Sequence, residues 1–254
     1  MVVDKVREAK RIIDKAFERN VVLKLIGGLA VRNHCEIIDF CERDYSDIDF
    51  VGLSKQLNAI EKVFTELGYT HNKDVLLASG GRRMQFISRD GVEHIDVFLD
   101  KFDMDHDVID LANRLNFEKY TISLSDILLT KLQIHEINEK DIRDTLTILK
   151  DIPYGLEDKP GIVNFKYIAE KCAEDWGLYY DVILNIDKCL NMLGNYKLTA
   201  EEAERIKTSL LTLRRLIEEE PKTKKWVKRS KNDLRKRWWN IIEAEDREKI
   251  RGRV

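Results

Sequence analysis

Proline and cysteine are scarce in this sequence, and long apolar runs are missing. Only 3 prolines and 4 cysteines occur among 254 residues, and no two cysteines form a Cys-x-x-Cys pair. This spacing excludes a zinc ribbon and a dithiol redox motif, and it leaves reduced thiols as the default expectation. No apolar stretch approaches the roughly 20 residues that a membrane-spanning helix needs. We therefore expect a cytoplasmic protein that has no membrane partner.

Charge is abundant but unevenly distributed. Charged residues make up 35% of the chain and hydrophobic residues 43%, which is enough for a globular core. The net charge is −2, yet residues 222–254 contain thirteen Lys or Arg and five Asp or Glu, a net of +8. The rest of the chain therefore carries −10, and the basic tail stands apart from an acidic body.

The hydrophobic pattern changes once along the chain. Up to about residue 100, strand-like and helix-like segments alternate, which predicts an α/β (α+β) fold with a mixed sheet flanked by helices. Beyond it the period is helical, with Ser125 and Asn138 as expected N-caps and a capping box at 199–202. A Pro- and Gly-containing stretch at 153–161 interrupts the helices. We predict two domains, 1–152 and an all-helical 153–254 that carries the basic tail.

Acidic residues sit on two of the predicted strands. Asp47 and Asp49 alternate with Ile48 and Phe50, so the two carboxylates are expected on one face and the apolar side chains in the core. Asp96 lies in a second strand-like stretch, 92–99. Three converging carboxylates repel one another unless a divalent cation joins them, and Mg²⁺ prefers such oxygens. The sequence thus predicts a metal site, with two ions a few ångströms apart as one arrangement for phosphoryl transfer.

A glycine pair precedes the aspartates. Gly27 and Gly28 follow the apolar run 21–26 and open a helix-like segment, which predicts a tight strand-to-helix turn where backbone amides could meet a phosphate. The pair matches neither a Gly-x-Gly-x-x-Gly fingerprint nor a P-loop.

Taken together, these residues resemble the DNA polymerase β-like nucleotidyltransferase superfamily. The Gly-Gly turn, the Asp47-Ile48-Asp49 strand and the later Asp96 look like its signature. The segments 124–132 and 138–144 are similar to the Asp-Leu-x-x-x-Lys-Leu and Lys-Asp-x-x-Asp helices of its minimal, AbiEii-toxin-like and lincosamide-type members. The resemblance covers roughly residues 20 to 150, although the stretch between the glycines and Asp47 is longer than is usual in the family.

The resemblance implies a reaction and a set of roles. An NMP would pass from an NTP, such as ATP, to an acceptor hydroxyl, with release of pyrophosphate and with Mg²⁺ (two ions; Mn²⁺ as a substitute) as cofactor. Asp47, Asp49 and Asp96 match the catalytic and metal-binding carboxylates. The nucleotide-binding positions are matched by Gly27, Gly28, Arg43 and Lys131.

Several of these residues have a simpler interpretation. Lys131 could be an ordinary solvated lysine on an amphipathic helix, and Asp141 and Asp144 could form helical ion pairs with Lys140 and Arg143. Arg82 and Arg83, after Gly80-Gly81, could reach a triphosphate or could be ordinary hairpin charges.

The basic tail interleaves cations with tryptophans. That mixture can hold phosphates and stack bases, and it can equally pack a helix onto the domain while the lysines face water. The candidate nucleic-acid-binding residues are Lys225, Trp226, Lys228, Arg229, Arg235, Arg237 and Trp238. If they bind RNA, the acceptor could be an RNA 3′ end such as that of tRNA; if they do not, a small hydroxylated acceptor remains open.

A second class of function stays open beside the enzyme. The same fold could serve as a non-catalytic RNA-binding or protein-interaction module, such as one partner of a toxin–antitoxin pair, because a fold does not fix a function.

Overall fold

A mixed five-stranded sheet forms the first half of the protein. The computed structural model describes residues 5–37, 40, 43–45, 47–102, 104–106, 111–232, 234 and 236–240. The strands of this sheet are β1 (Leu23–Leu25), β2 (Ile48–Gly52), β3 (Thr70–Asn72), β4 (Arg83–Ile87) and β5 (His94–Leu99). Their order is β1-β2-β5-β4-β3. Only β2 and β5 run parallel to each other, while the other neighbours are antiparallel.

Four helices accompany this sheet in the described residues. They are α1 (Lys5–Glu18), α2 (Gly27–Asn33), α3 (Leu57–Glu66) and α4 (Lys73–Ala78). The predicted strands around the glycine turn, the aspartate pair and Asp96 are confirmed as β1, β2 and β5. Ile48 and Phe50 are fully buried, as the alternation of β2 requires. The short β3 and α4 were not predicted.

Helices dominate the second half. They are α5 (Leu124–Leu132), α6 (Glu139–Asp151), α7 (Phe165–Glu174), α8 (Trp176–Met192), α9 (Ala200–Glu219) and α10 (Lys224–Ser230). Between α6 and α7, β6 (Tyr154–Gly155) and β7 (Val163–Asn164) form a two-residue parallel ladder. The α+β class with a helical C-terminal region is therefore confirmed. One connected cluster of buried apolar side chains runs through both halves, so the core crosses the predicted domain boundary at 152, which stays a prediction.

Helix caps explain where several of these helices begin. The side chain of Asn138 accepts a hydrogen bond from the backbone N–H of Asp141, and Thr199 forms its capping box with Glu202, as predicted. The prediction for Ser125 is wrong, because Ser123 caps α5 by accepting from the N–H of Asp126. Ser125 instead lies buried in the first turn, where its Oγ accepts a hydrogen bond from the backbone N–H of Asn164.

The cysteines depart from the expectation of reduced thiols at one position. Cys35 is disulfide-bonded, and its partner lies outside the described residues. Cys172 and Cys189 are free and buried, and burial raises the pKa of both thiols. No helix in the described part of the chain combines the length and apolarity needed to cross a membrane.

Candidate active site

The two central strands bring two aspartates side by side. Asp49 on β2 and Asp96 on β5 are paired positions of the parallel ladder. Asp47 lies one residue before β2, close enough for its charge to act on Asp49. The parallel pairing of β2 and β5 thus places Asp49 beside Asp96, and Asp47 lies near enough to Asp49 to act on it by charge.

This arrangement makes the ionisation of Asp49 difficult. Burial raises the pKa of the Asp49 carboxyl to about 7, and the negative charges of Asp96 and Asp47 act in the same direction. The positive charges of Arg83 and Lys131 oppose the shift without cancelling it. A cation placed among these carboxylates would favour their ionised forms. Added positive charge at this site would therefore lower the pKa of Asp49.

The glycine turn lies against the same carboxylate. Gly27 has a φ of +69°, a conformation that glycine adopts at little cost, and a Cβ built on it would lie 3.4 Å from Asp49 Oδ2. The backbone N–H of Ile26 donates to the Asp49 carbonyl at 2.9 Å, which fixes the turn to β2. A Cβ on Gly28 would meet Arg43 Nη2 at 2.3 Å. The predicted nucleotide residues Gly27, Gly28 and Arg43 are thus neighbours.

A buried ion-pair network connects this turn to helices α5 and α6. Lys131 Nζ lies 2.9 Å from Asp141 Oδ1 and 2.9 Å from Asp144 Oδ2. Arg43 Nη2 lies 3.0 Å from Asp144 Oδ2. Burial favours the neutral form of Lys131, but the two carboxylates more than compensate and raise its pKa. Lys131 is therefore a buried, permanently charged cation, and the solvated-lysine interpretation is wrong.

The same contacts correct the expected helical pairing on α6. Arg143 pairs with Glu139 at 2.9 Å. Asp141 and Asp144 turn inward and hold Lys131 in place, with Asp144 also binding Arg43. Asp141 and Asp144 therefore hold Lys131 and Arg43, two of the predicted nucleotide-binding residues, in place.

Asp96 has partners that the sequence did not suggest. Arg83 on β4 donates to both of its oxygens, from Nε to Oδ1 at 3.1 Å and from Nη2 to Oδ2 at 2.7 Å. Gln85, two residues along the same strand face, donates to Oδ1 at 3.2 Å and accepts from Asn72 at 3.0 Å. Arg83 therefore contacts the aspartate cluster, and its interpretation as an ordinary hairpin charge is wrong.

The donor set matches a magnesium site in chemistry and charge. Asp47, Asp49 and Asp96 offer the hard carboxylate oxygens that Mg²⁺ prefers, and burial together with the charges of the two neighbouring aspartates raises the pKa of Asp49. In the described residues, no three His, Cys, Asp or Glu side chains are already arranged to hold a metal ion. Arg83 donates to both Asp96 oxygens, so a cation bound by Asp96 would lie next to the Arg83 guanidinium and would share the carboxylate with it.

The tryptophans of the tail pack onto the helical region. Trp226 stands edge-on to Tyr179, with 5.2 Å between the ring centroids, and Trp238 contacts Trp176 and Tyr180 in the same way. Arg229 lies over the Trp176 ring at 4.4 Å. These contacts favour the packing interpretation, because base stacking would require the tryptophans to leave α8.

The cations of the tail divide into exposed and occupied groups. Lys225, Lys228 and Arg237 are exposed and could meet phosphates, although Lys225 also lies 3.9 Å from Asp175 and Arg237 lies over the Trp239 ring. Arg229 donates to the backbone carbonyl of Lys236. Arg235, also a candidate nucleic-acid ligand, lies outside the described residues.

Beneath the tail lies a polar cluster that the sequence did not reveal. The fully buried carboxylate of Asp181 lies 2.8 Å from His106 Nε2 and 3.0 Å from His135 Nδ1, and it accepts from Trp238 Nε1 at 3.2 Å. His135 also stacks on Trp239 at 3.6 Å. The cluster joins the tail to α8 and to the segment that follows α5, since Trp238 donates to Asp181 and Trp239 stacks on His135.

Comparison with known proteins adds no relative. No protein-family model matches the chain, and neither the curated proteins nor the solved structures contain a significant match. Its function is therefore inferred from the chemistry of its own residues.

Proposed function

We propose that this protein is a Mg²⁺-dependent nucleotidyltransferase. It would transfer an NMP from an NTP to an acceptor hydroxyl and release pyrophosphate. The observation that carries the proposal is the parallel pairing of Asp49 with Asp96 beside Gly27, at a position where burial and the charge of Asp96 raise the pKa of Asp49 to about 7. Carboxylates crowded to this degree at a sheet centre are typical of functional sites, where pKa values are perturbed by burial and by like charge.

Each residue of the site has a role in this reaction. Asp47 and Asp49 would hold Mg²⁺, which when bound would stabilise negative charge on the attacking and leaving oxygens. Asp96 would accept the acceptor hydroxyl proton as the acceptor oxygen bonds to the α-phosphorus and the bond to the pyrophosphate oxygen breaks. Lys131 and Arg43, held by Asp141 and Asp144, would offset phosphate charge.

The acceptor belongs to one of two classes. The exposed cations Lys225, Lys228 and Arg237 support an RNA acceptor, such as a tRNA 3′ end, because they offer phosphate contacts that do not require the tryptophans to move. A small hydroxylated molecule is the other class.

Labelled nucleotides test the reaction directly. Wild type, Asp49→Asn and the exposed control Asp74→Asn would each be incubated with every α-³²P-labelled NTP, Mg²⁺ and total cellular RNA, and in parallel with a panel of small hydroxylated acceptors. We expect transfer by wild type and Asp74→Asn, and a loss of at least about 100-fold in Asp49→Asn. Undiminished transfer by Asp49→Asn would refute the assignment.

One observation favours a non-catalytic module instead. The cations of the site are already paired inside the chain, Arg83 with Asp96 and Lys131 with Asp141 and Asp144. A site neutralised in this way could be purely structural, with the protein acting as an RNA-binding or protein-interaction module, such as one member of a toxin–antitoxin pair. RNA binding without Mg²⁺-dependent consumption of any NTP would support this second candidate.

A further inference from the structure

Arg83 and a metal ion would compete for the same atoms. The guanidinium of Arg83 engages both oxygens of Asp96 at 3.1 and 2.7 Å, and the two side chains are 12% and 5% exposed. A metal-bound Asp96 would need at least one of these oxygens. Each oxygen has two lone pairs, so Arg83 opposes a cation at Asp96 mainly through its own positive charge and through the lone pairs that it takes. Arg83 is the counter-ion of Asp96 when no metal is bound.

The position of Arg83 at the start of a strand would let its side chain turn away from Asp96. Arg83 is the first residue of β4, two residues after Gly81. Gly80 and Gly81 have φ values of +62° and +81°, and a Cβ built on either glycine would have no heavy atom within 4 Å. The side chain of Arg83 can turn away from Asp96 without breaking a backbone hydrogen bond of the sheet, and in doing so it would also leave the Phe98 ring, 5.4 Å away. Its planar fork of donors also matches a phosphate as well as it matches a carboxylate.

Asp96 would keep its orientation without Arg83. Gln85 also donates to Asp96 Oδ1, and Gln85 is itself held by Asn72. Because Gln85 and Arg83 are two residues apart on one strand, they approach Asp96 from the same face. Departure of Arg83 would leave one oxygen oriented by Gln85 and the other open to a cation.

We propose that Arg83 is an exchangeable ligand: it pairs with Asp96 in the resting protein and binds the triphosphate in the nucleotide complex, which frees Asp96 for the divalent cation. The triphosphate part of this exchange rests on the proposed function. The competition between Arg83 and the cation does not, since it follows from the contacts at Asp96 alone.

Metal binding without nucleotide tests the competition. Free Mn²⁺ would be measured by electron paramagnetic resonance during titration of wild type, Arg83→Gln and Arg82→Gln. Arg82 is the matched control, because it is an exposed neighbour of the same charge that donates to the Ser79 carbonyl and not to Asp96. We expect Arg83→Gln to bind Mn²⁺ at least tenfold more tightly than wild type, which corresponds to about 1.4 kcal/mol, and Arg82→Gln to match wild type.

The second half of the exchange predicts that Arg83→Gln weakens the binding of a triphosphate, whereas it strengthens the binding of the free cation. Binding of the Mn²⁺–tripolyphosphate complex, which carries no base, would be measured by calorimetry on the same three proteins. Arg83→Gln should bind it at least tenfold more weakly than wild type, again with Arg82→Gln unchanged. Equal tripolyphosphate affinity in Arg83→Gln would show that Arg83 does not bind the triphosphate.

Two further outcomes separate the possible failures. If Arg83→Gln does not fold, Arg83→Met serves instead, since it also removes the charge; Mn²⁺ affinity equal to wild type in a folded neutral variant would overturn the competition. If no NTP is ever transferred to an acceptor, the proposed function fails while the Mn²⁺ titration still decides the role of Arg83. Turnover together with unchanged Mn²⁺ affinity in Arg83→Gln would refute this inference alone.

Discussion

Replacing Asp49 by asparagine removes a carboxyl whose ionisation the folded protein opposes. The folded-state pKa is about 7, against an ordinary value of 3.8. Between these two pH values the folded protein binds more protons at this position than the unfolded chain does. Stability therefore falls as pH rises from about 4 to about 7, and the amide of Asp49→Asn, which does not titrate, escapes this loss.

The size of the effect follows from the shift. The two pKa values differ by about 3, and a difference of one corresponds to about 1.36 kcal/mol. The ionisation of Asp49 therefore lowers the unfolding free energy by about 4 kcal/mol at pH 7.5. Because the surrounding side chains also relax, we expect the measured gain in unfolding free energy for Asp49→Asn to lie between about 1 and 4 kcal/mol at that pH. Near pH 4 the gain should be close to zero.

Urea unfolding of wild type and Asp49→Asn at pH 4, 6 and 7.5 measures this difference, with Asp74→Asn as the control for loss of an exposed carboxylate. Added Mg²⁺ should raise the unfolding free energy of wild type at pH 7.5 more than that of Asp49→Asn, since a ligand stabilises the state that binds it. An Asp49→Asn protein that is less stable than wild type at pH 7.5, or whose advantage does not grow with pH, would refute the electrostatic reasoning.

Three further variants test Lys131 and Gly27, near Asp49, and Asp181, in the polar cluster beneath the tail. Lys131→Met should lower the unfolding free energy by about 3 kcal/mol in urea titrations, because Asp141 loses its cation and Asp144 keeps only Arg43; Lys197→Met, at an exposed position, should change it little. Gly27→Ala and Gly91→Ala should each cost about 1 kcal/mol from their positive φ, yet only Gly27→Ala, beside Asp49, should also alter Mn²⁺ affinity. Asp181→Asn should cost about 1 to 3 kcal/mol and speed tryptic cleavage in the basic tail. Asp187→Asn, on the same helix, removes only a partly exposed ion pair with Arg214, so it should cost less than about 1 kcal/mol and leave the cleavage unchanged.

Local signals in the sequence were enough to predict much of the sheet. The alternation around Asp49 has the period of a strand, and Ile48 and Phe50 are buried as that period demands. Gly27 adopts the positive φ that a tight strand-to-helix turn requires. These features depend on neighbouring residues only, so they can be read without knowing how distant segments pair.

Features set by long-range contacts could not be read in this way. The contact between Arg83 and Asp96 depends on the register of β4 against β5, which a pattern within either strand does not fix. The contact between His106 and Asp181 joins positions 75 residues apart. Ser125 shows a smaller failure of the same kind. Either serine near the start of α5 could cap the helix, and Ser125 Oγ instead accepts a hydrogen bond from the distant backbone N–H of Asn164.

Charge balance at the site connects the metal, the triphosphate and Arg83. In the described part of the site, the aspartates of the cluster and of α6 and the cations paired with them or acting on Asp49 are five and three in number, which leaves two negative charges when all are ionised: Arg43, Arg83, Lys131, Asp47, Asp49, Asp96, Asp141 and Asp144. One divalent cation would balance that excess and would return Asp49 to its ionised form. A triphosphate brings several more negative charges, which call for a second ion and for donors beyond Lys131 and Arg43, both already tied to aspartates. Arg83 is the cation whose aspartate the metal itself would take over, so metal entry at Asp96 would release a phosphate ligand at the moment that the phosphate charge arrives.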